Sequence, residues 1–469
     1  MNKQSINIKP HPYTIYTYLS RFLYFLIIPV LQQLLFSPET LLGKISSTLI
    51  NILIIIALVV IAVYQYKSIH LQLHREALLY EKGIFVNRTT VTQYNNICSV
   101  FIQGSILPKL FGSVRMLIDT NSIADKKPLS IYTTRKNAKT ITTSFWQQTN
   151  SKCLLKLASY KTLLMALTRT SVFTGLLILA PFINKIGKVL GQEYSDRLYS
   201  SMDLTSYLMI FGLPPAMAYL AGIFLIGYCI SVIIQAFRYS NFTLQKQGDK
   251  IFITRGFIST SGFITSIKNI SAITIKQNLF MIILRHYSTY IESIHNSKRK
   301  NTDGSMLVPI GSKALTVDII KQLYPFSEYH TCFKPQRKSI KSYLYLPLTF
   351  LGLILAVSIY MYFSNIDRSF ISIYLLFFVP LSIIWLWFRI IAFNHCCVCI
   401  GDKTAKICTY KGLTLQTTIL PAKNIELTVI KQSVFQRIFG TYNLGVFIRT
   451  NKGKVLYVKH LAFHDACHL

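Results

Sequence analysis

The chain has 469 residues, 51% of them hydrophobic, and a formal net charge of +33. A soluble basic protein is rarely this apolar and a simple channel is rarely this basic, so neither class accounts for the whole chain. With 17 Asp and Glu against 50 Lys and Arg, little carboxylate is left for acid–base catalysis.

Apolar runs able to cross a hydrocarbon core of about 30 Å lie near 19–36, 47–65, 163–183, 205–235, 343–363 and 369–392. Arg21 and Pro29 weaken the first. The runs form three pairs, and each pair is followed by a polar segment. This order predicts an N-terminal tail with the first helix pair over 1–65 and a soluble segment over 66–160. The second pair and its soluble segment fall at 161–235 and 236–340, the third at 341–392 and 393–469. The connectors inside the pairs, 37–46, 184–204 and 364–368, are electrically balanced. The remaining 45 basic and 12 acidic residues therefore carry the net charge. By the positive-inside tendency, the soluble segments and both termini are expected in the cytoplasm. The late first run, without a small-residue cleavage site, predicts no cleavable leader. Nine Cys in no paired framework suggest a reducing compartment.

The soluble segments repeat one pattern. The first reads Glu81-Lys-Gly83-Ile, then Asn96-Ile97, Gln103 and Leu110-Phe111-Gly112. The second reads Thr254-Arg-Gly256-Phe, then Asn269-Ile270, Lys276-Gln277 and Leu284-Arg285. The third reads Tyr410-Lys-Gly412-Leu, then Asn424-Ile425, Lys431-Gln432 and Phe439-Gly440. The spacing from the first Gly to the last Phe or Leu is 28, 28 and 27 residues, which marks a triplicated unit. Alternating residues on both sides of Gly83, Gly256 and Gly412 predict β-hairpins. From Gln432 to Gly440 the apolar residues fall at helical spacing, so Gly440 reads as a left-handed cap on one helical turn, with Gly112 its counterpart. Arg285 stands where that glycine is expected, which predicts a different or strained turn in repeat 2. Small all-β modules of this size close into a barrel or sandwich.

Taken together, the paired helices, Gly hairpin, Asn-Ile strand start, Gln and Leu/Ile-Phe-Gly turn resemble the membrane-flanked bacterial pleckstrin-homology-like domain family. Three copies on six helices are similar to its YdbT-like members. The resemblance covers nearly the whole chain. It implies an α+β membrane protein: six transmembrane helices in three pairs, each pair followed by a cytoplasmic PH-like β-barrel domain. It also implies a helix closing each barrel, Ser312–Tyr324 in repeat 2, and only a short one over His460–Leu469 in repeat 3. No enzymatic activity is attributed to the family. Its context of envelope maintenance or stress resistance is not something the residues show.

Candidate chemistry is sparse. His395-Cys396-Cys397-Val-Cys399, with His464, Cys467 and His468, has metal-ligand residue types but not zinc spacing, and reads better as interfacial cysteine. No nucleophile elbow, phosphate loop or H-E-x-x-H motif occurs. No metal, cofactor or catalytic residue is therefore expected. The apolar runs contain no Asp or Glu, which argues against ion-coupled transport, and Arg169 and Arg389 read as cations snorkelling to the interface. Juxtamembrane cations gain about 1 kcal/mol each beside an anionic leaflet. Lys276, Gln277, Lys431, Gln432 and Arg437, around the repeated Gln, are the candidate anionic-ligand or partner-binding residues. The expected function is a non-catalytic scaffold in a bacterial inner membrane that binds anionic lipid headgroups, a partner membrane protein or itself. Nucleic acid is not an expected partner. The alternative is a transporter or flippase-like protein built on the six-helix bundle.

Overall fold

The computed structural model describes residues 6–21, 41–84, 86–120, 128–145, 152–170, 215–293, 305–323, 331–364, 368–450 and 454–462. They divide into two compact units. The first comprises Met1–Lys156 with Phe242–Asn269; the second comprises Leu157–Asn241, Ile270–Ile294 and Ser305–Leu469.

In the first unit, strands β1 (Ile6–Ile8), β2 (His70–Leu73), β3 (Ala77–Lys82) and β4 (Arg88–Gln93) form an antiparallel sheet in that order. Repeat 1 continues with β5 (Ile97–Gly104), β6 (Ser113–Thr120) and β7 (Leu129–Thr134). Then follow a helix, α1 (Arg135–Phe145), and β8 (Lys152–Lys156). The first strands of repeat 2 are β9 (Thr243–Gln247), β10 (Lys250–Arg255) and β11 (Thr260–Ser266). Strands β5 to β11 make one seven-stranded sheet in the order β7-β6-β5-β11-β10-β9-β8. Leu71, Leu78 and Tyr80 of the small sheet pack with Val100, Met116 and Ile118 of the large one and with Ile141 and Phe145 of α1. Alternation along each strand puts these side chains on one face, so the two sheets enclose a single apolar layer.

The second unit repeats this plan one step later. From repeat 2 come β12 (Ile270–Asn278), β13 (Tyr287–Ser293) and β14 (Met306–Gly311). From β15 (Thr331–Phe333) onward come β16 (Cys397–Ile400), β17 (Thr404–Lys411) and β18 (Thr414–Pro421). Their order is β14-β13-β12-β18-β17-β16-β15. Strands β19 (Ile425–Lys431), β20 (Thr441–Ile448) and β21 (Lys454–Ala462) form a three-stranded sheet. Tyr442, Leu444 and Val446 of that sheet share a core with Val398, Ile407 and Leu420. Thus the fifth strand of one repeat pairs with the fourth strand of the next, β5 with β11 and β12 with β18. The expected closing helix of repeat 2 is α2 (Lys313–Leu323), which buries Ile319, Ile320 and Leu323.

The expectation of six membrane-crossing helices in three pairs is overturned. Among the described residues, two helices are long and apolar enough to cross: Arg337–Phe363 and Phe378–His395. They lie in α3 (Ile340–Phe363) and α4 (Arg368–His395), a hairpin at the place of the third expected pair. Only 17% of the apolar window of each is buried, so neither is the core helix of a soluble fold. The apolar stretches Ile52–Lys67 and Phe224–Tyr239, of 10–17 residues, are parts of the longer helices Leu41–Lys67 and Pro215–Tyr239. The start of the 163–183 run belongs instead to an 11-residue amphipathic helix, Ser159–Arg169, whose Met165 and Ala166 are fully buried. Residues 22–36, 171–183 and 184–204 of the expected runs and connectors lie outside the described residues, as do His464, Cys467, His468 and the end of the expected closing helix of repeat 3.

One further expectation, that of unpaired cysteines, needs correction. Cys332 and Cys399 face each other across β15 and β16 and form a disulfide that spans the helical hairpin. Their separation of 67 residues hides the pairing from any local pattern. Of the two alternatives expected for the turn of repeat 2, a different turn or a strained one, the structure has the strained one. Arg285 has φ 55°, beside 71° for Gly112 and 61° for Gly440. Its N–H donates to Ile282 O at 3.1 Å, as those of Gly112 and Gly440 donate to Lys109 O and Arg437 O.

Candidate anion site on the second seven-stranded sheet

Lys276 lies on β12, in the register row of Ser288 on β13 and Gln416 on β18. The period-2 alternation of strands places Thr274 on the same face as Lys276, opposite Tyr290 and Thr418. The Lys276 ammonium is 4.5 Å from the centre of the Tyr290 ring and has no hydrogen-bond acceptor among the described residues. Arg169, at the end of the Ser159–Arg169 helix, stacks on Tyr290 and Tyr239 at 5.5 and 5.7 Å. Two more cations, Lys411 at the end of β17 and Lys454 at the start of β21, act on Lys276 electrostatically. The carboxylate within this group is Glu292. It accepts from Lys454 and, at 2.7 Å, from the fully buried Thr274 hydroxyl.

Four cations therefore surround one carboxylate. Burial and the neighbouring Lys454 push the Lys276 amine below the ordinary lysine range; Glu292 opposes this, and Arg169 and Lys411 add to it. A partly buried ammonium held over an aromatic face among like charges is unfavourable without a counter-charge. An oxyanion of phosphate type supplies that charge and several acceptor oxygens, so the arrangement suits anion binding. It has no nucleophile paired with a base, and it places no second carboxylate beside Glu292 in the cluster described.

The other sequence candidates lie elsewhere. The Gln277 amide donates to His286 O at 2.9 Å, and the Gln432 amide donates to Thr441 O at 3.0 Å. In both repeats the Gln closes the loop onto the residue after the left-handed position. Lys431, at the exposed end of β19, has its ammonium 5.8 Å from the Tyr457 ring. Arg437 is exposed on the short helix Val434–Ile438. Neither is among the charges that perturb Lys276. Gly83, Gly256 and Gly412 lie in the β3–β4, β10–β11 and β17–β18 connections, all with positive φ.

Sequence reasoning did not find Arg169, Tyr290, Glu292, Lys411 or Lys454, because long-range strand pairing assembles them. Arg169, expected to snorkel, is instead stacked between two tyrosines. The other snorkelling candidate, Arg389, donates to Tyr410 Oη and stacks on Trp385. Of the metal-like cluster, His395 meets the Thr417 hydroxyl at 3.2 Å, Cys397 lies opposite Cys408, and Cys399 is in the disulfide. Among the described residues no group of three metal-ligand side chains occurs.

Residues 24–145 and 199–321, together more than half of the chain, match the family model for the bacterial PH domain. A relative from Bacillus subtilis (strain 168), named UPF0699 transmembrane protein YdbT, is 24% identical over 318 residues, which cover 65% of this chain and 60% of the relative. The chain thus spans about three-fifths of that relative's length. No solved structure matches.

Proposed function

We propose, from the premise that this chain belongs to the bacterial PH domain family, that it is a non-catalytic membrane scaffold whose Lys276 cluster binds an anionic headgroup of phosphate type. One observation carries the reading: a partly buried ammonium that has, among the described residues, no hydrogen-bond acceptor, with Arg169, Lys411 and Lys454 around it and the Glu292 carboxylate opposing them. The α3–α4 hairpin anchors the second unit, with both of its ends on one side of the bilayer. Arg337, Lys338 and Lys341 at the start of α3 support the cytoplasmic side of a bacterial inner membrane for these ends, where the Cys332–Cys399 pair is expected to be reduced. The transporter reading depended on a six-helix bundle and loses its framework with the helix count.

The test uses the full chain purified in mild detergent, with thermal stability followed against dihexanoyl phosphatidic acid and dihexanoyl phosphatidylcholine. The phosphatidic acid raises the midpoint saturably, the phosphatidylcholine does not, and Lys276→Met abolishes the difference. Equal responses of wild type and Lys276→Met would refute the site. A parallel titration with inorganic phosphate tells a phosphate requirement from a lipid one.

A further inference from the structure

The two junctions between repeats obey one rule. In each, the residue three places after the Ile of the Asn-Ile pair lies opposite the residue five places before the Asn of the next repeat. These are Val100 with Ile264 and Ile273 with Ile419. The Asn locks the join. Asn269 Nδ2 donates to Cys98 O at 3.4 Å, and Asn424 Nδ2 donates to Ser271 O at 2.9 Å. In both cases the acceptor is the residue just after the Ile of the preceding repeat. The repeated Asn is thus a clamp on the neighbouring repeat.

The rule leaves one half-junction over at each end of the series. Strand β4 is the fourth strand of repeat 1 and the outer strand of its sheet; β19 is the fifth strand of repeat 3 and likewise outermost. Val91 of β4 holds the place of Ile264 and Ile419. It is 64% exposed where they are 7% and 9% exposed. On β19, Thr428 holds the place of Val100 and Ile273 and is exposed where they are buried. Asn96 is exposed, and its side chain has no partner among the described residues. Neither outer strand carries a proline, and β19 has its bulge at Ile425–Leu427, where β5 and β12 have theirs at Ile97–Ser99 and Ile270–Ala272 and still accept a fourth strand.

We propose that β19 of one molecule pairs antiparallel with β4 of a second molecule of this chain, head to tail. The occupant is this chain because its two edges are the two halves of a junction it already makes twice. The same register sets Thr428 opposite Val91, Val429 opposite Thr90 and Lys431 opposite Arg88, with the Asn96 amide on Glu426 O. Main-chain hydrogen bonds supply the affinity, as in strand addition generally. A head-to-tail contact of this kind builds open chains or rings. The Lys431–Arg88 row puts like charges together and weakens the join, which makes the register testable. The inference does not depend on the anion site.

The experiment mixes two differently tagged full-length proteins in native membranes, one carrying Thr428→Cys and the other Val91→Cys, under mild oxidation, with the unsubstituted chain as the blank for the native cysteines. A cross-link joining the two tags is expected, and it weakens when Thr90→Cys replaces Val91→Cys. In detergent, Lys431→Glu tightens self-association roughly two- to tenfold, and the further change Arg88→Glu cancels the gain. No joined tags, or equal cross-linking at positions 90 and 91, would overturn the proposal, as would an unchanged association constant for Lys431→Glu. Lipid-induced stabilisation lost only in Lys276→Met remains a separate readout, so the failure of either idea is recognisable by itself.

Discussion

Replacing Arg285 by glycine should stabilise the second unit. Arg285 is held at φ 55°, in the left-handed region, where an L side chain costs about 1–2 kcal/mol. Glycine removes that cost but adds backbone freedom to the unfolded chain, worth about 0.5–1 kcal/mol in the opposite sense. The side chain itself offers little compensation: it is exposed, and its guanidinium has no partner among the described residues. The difference leaves a net gain of about 0.5–1 kcal/mol. In a domain of this size that is roughly 1–4 °C in the unfolding midpoint. The assay is thermal unfolding of the detergent-purified full chain, supported by hydrogen exchange of the Leu279–His286 turn, where protection should rise most. Arg285→Ala is the control, because it removes the guanidinium and keeps the side-chain penalty, and should leave the midpoint nearly unchanged. If Arg285→Gly and Arg285→Ala behave alike, backbone strain is not what this position stores. The reverse change, Gly440→Arg, should destabilise repeat 3 by a similar amount.

Gly256→Ala should cost at least about 3 kcal/mol: φ is 100° and the new Cβ would stand 1.9 Å from Ser259 O, so proteolysis of the β10–β11 hairpin in native membranes should quicken sharply. Asn424→Ala strips the buried donor from Ser271 O and should cost about 1–3 kcal/mol in thermal unfolding, whereas Asn96→Ala should leave the stability of the isolated molecule unchanged. The amine of Lys276 titrates below its unfolded value of 10.5, so between the two pKa values the unfolded chain binds more protons. Stability contributed by this group should therefore rise with pH as 10.5 is approached from below. A pH series of unfolding midpoints should show that rise in the wild type and its absence in Lys276→Met, and Lys276→Met should be the more stable of the two near pH 7, by about 1 kcal/mol.

Much of the local structure was legible because it is encoded locally. The hairpin glycines, the strand starts at Asn-Ile and the amphipathic face of Lys313–Leu323 depend on period and turn chemistry, which a sequence displays directly. Arg285 shows where that reading stops. The residue type argues against the left-handed turn, yet the hydrogen bonds of its neighbours impose it. The 163–183 run was misread at its start because apolar composition and apolar helix length are different quantities: Ser159–Arg169 is a short amphipathic helix that buries Met165 and Ala166. The Cys332–Cys399 pair and the cations around Lys276 depend on which strands become neighbours, and strand choice is not local.

Because each large sheet is assembled from the end of one repeat and the start of the next, the repeat in the gene and the unit in space are half a period out of phase. A truncation at a repeat boundary therefore cannot release a finished module: it bares one strand edge and strands one asparagine. Duplication of a whole repeat, by contrast, recreates the same junction wherever it is inserted. The number of repeats can then grow or shrink in steps of one without new chemistry, each added junction using the same strand pair and the same asparagine.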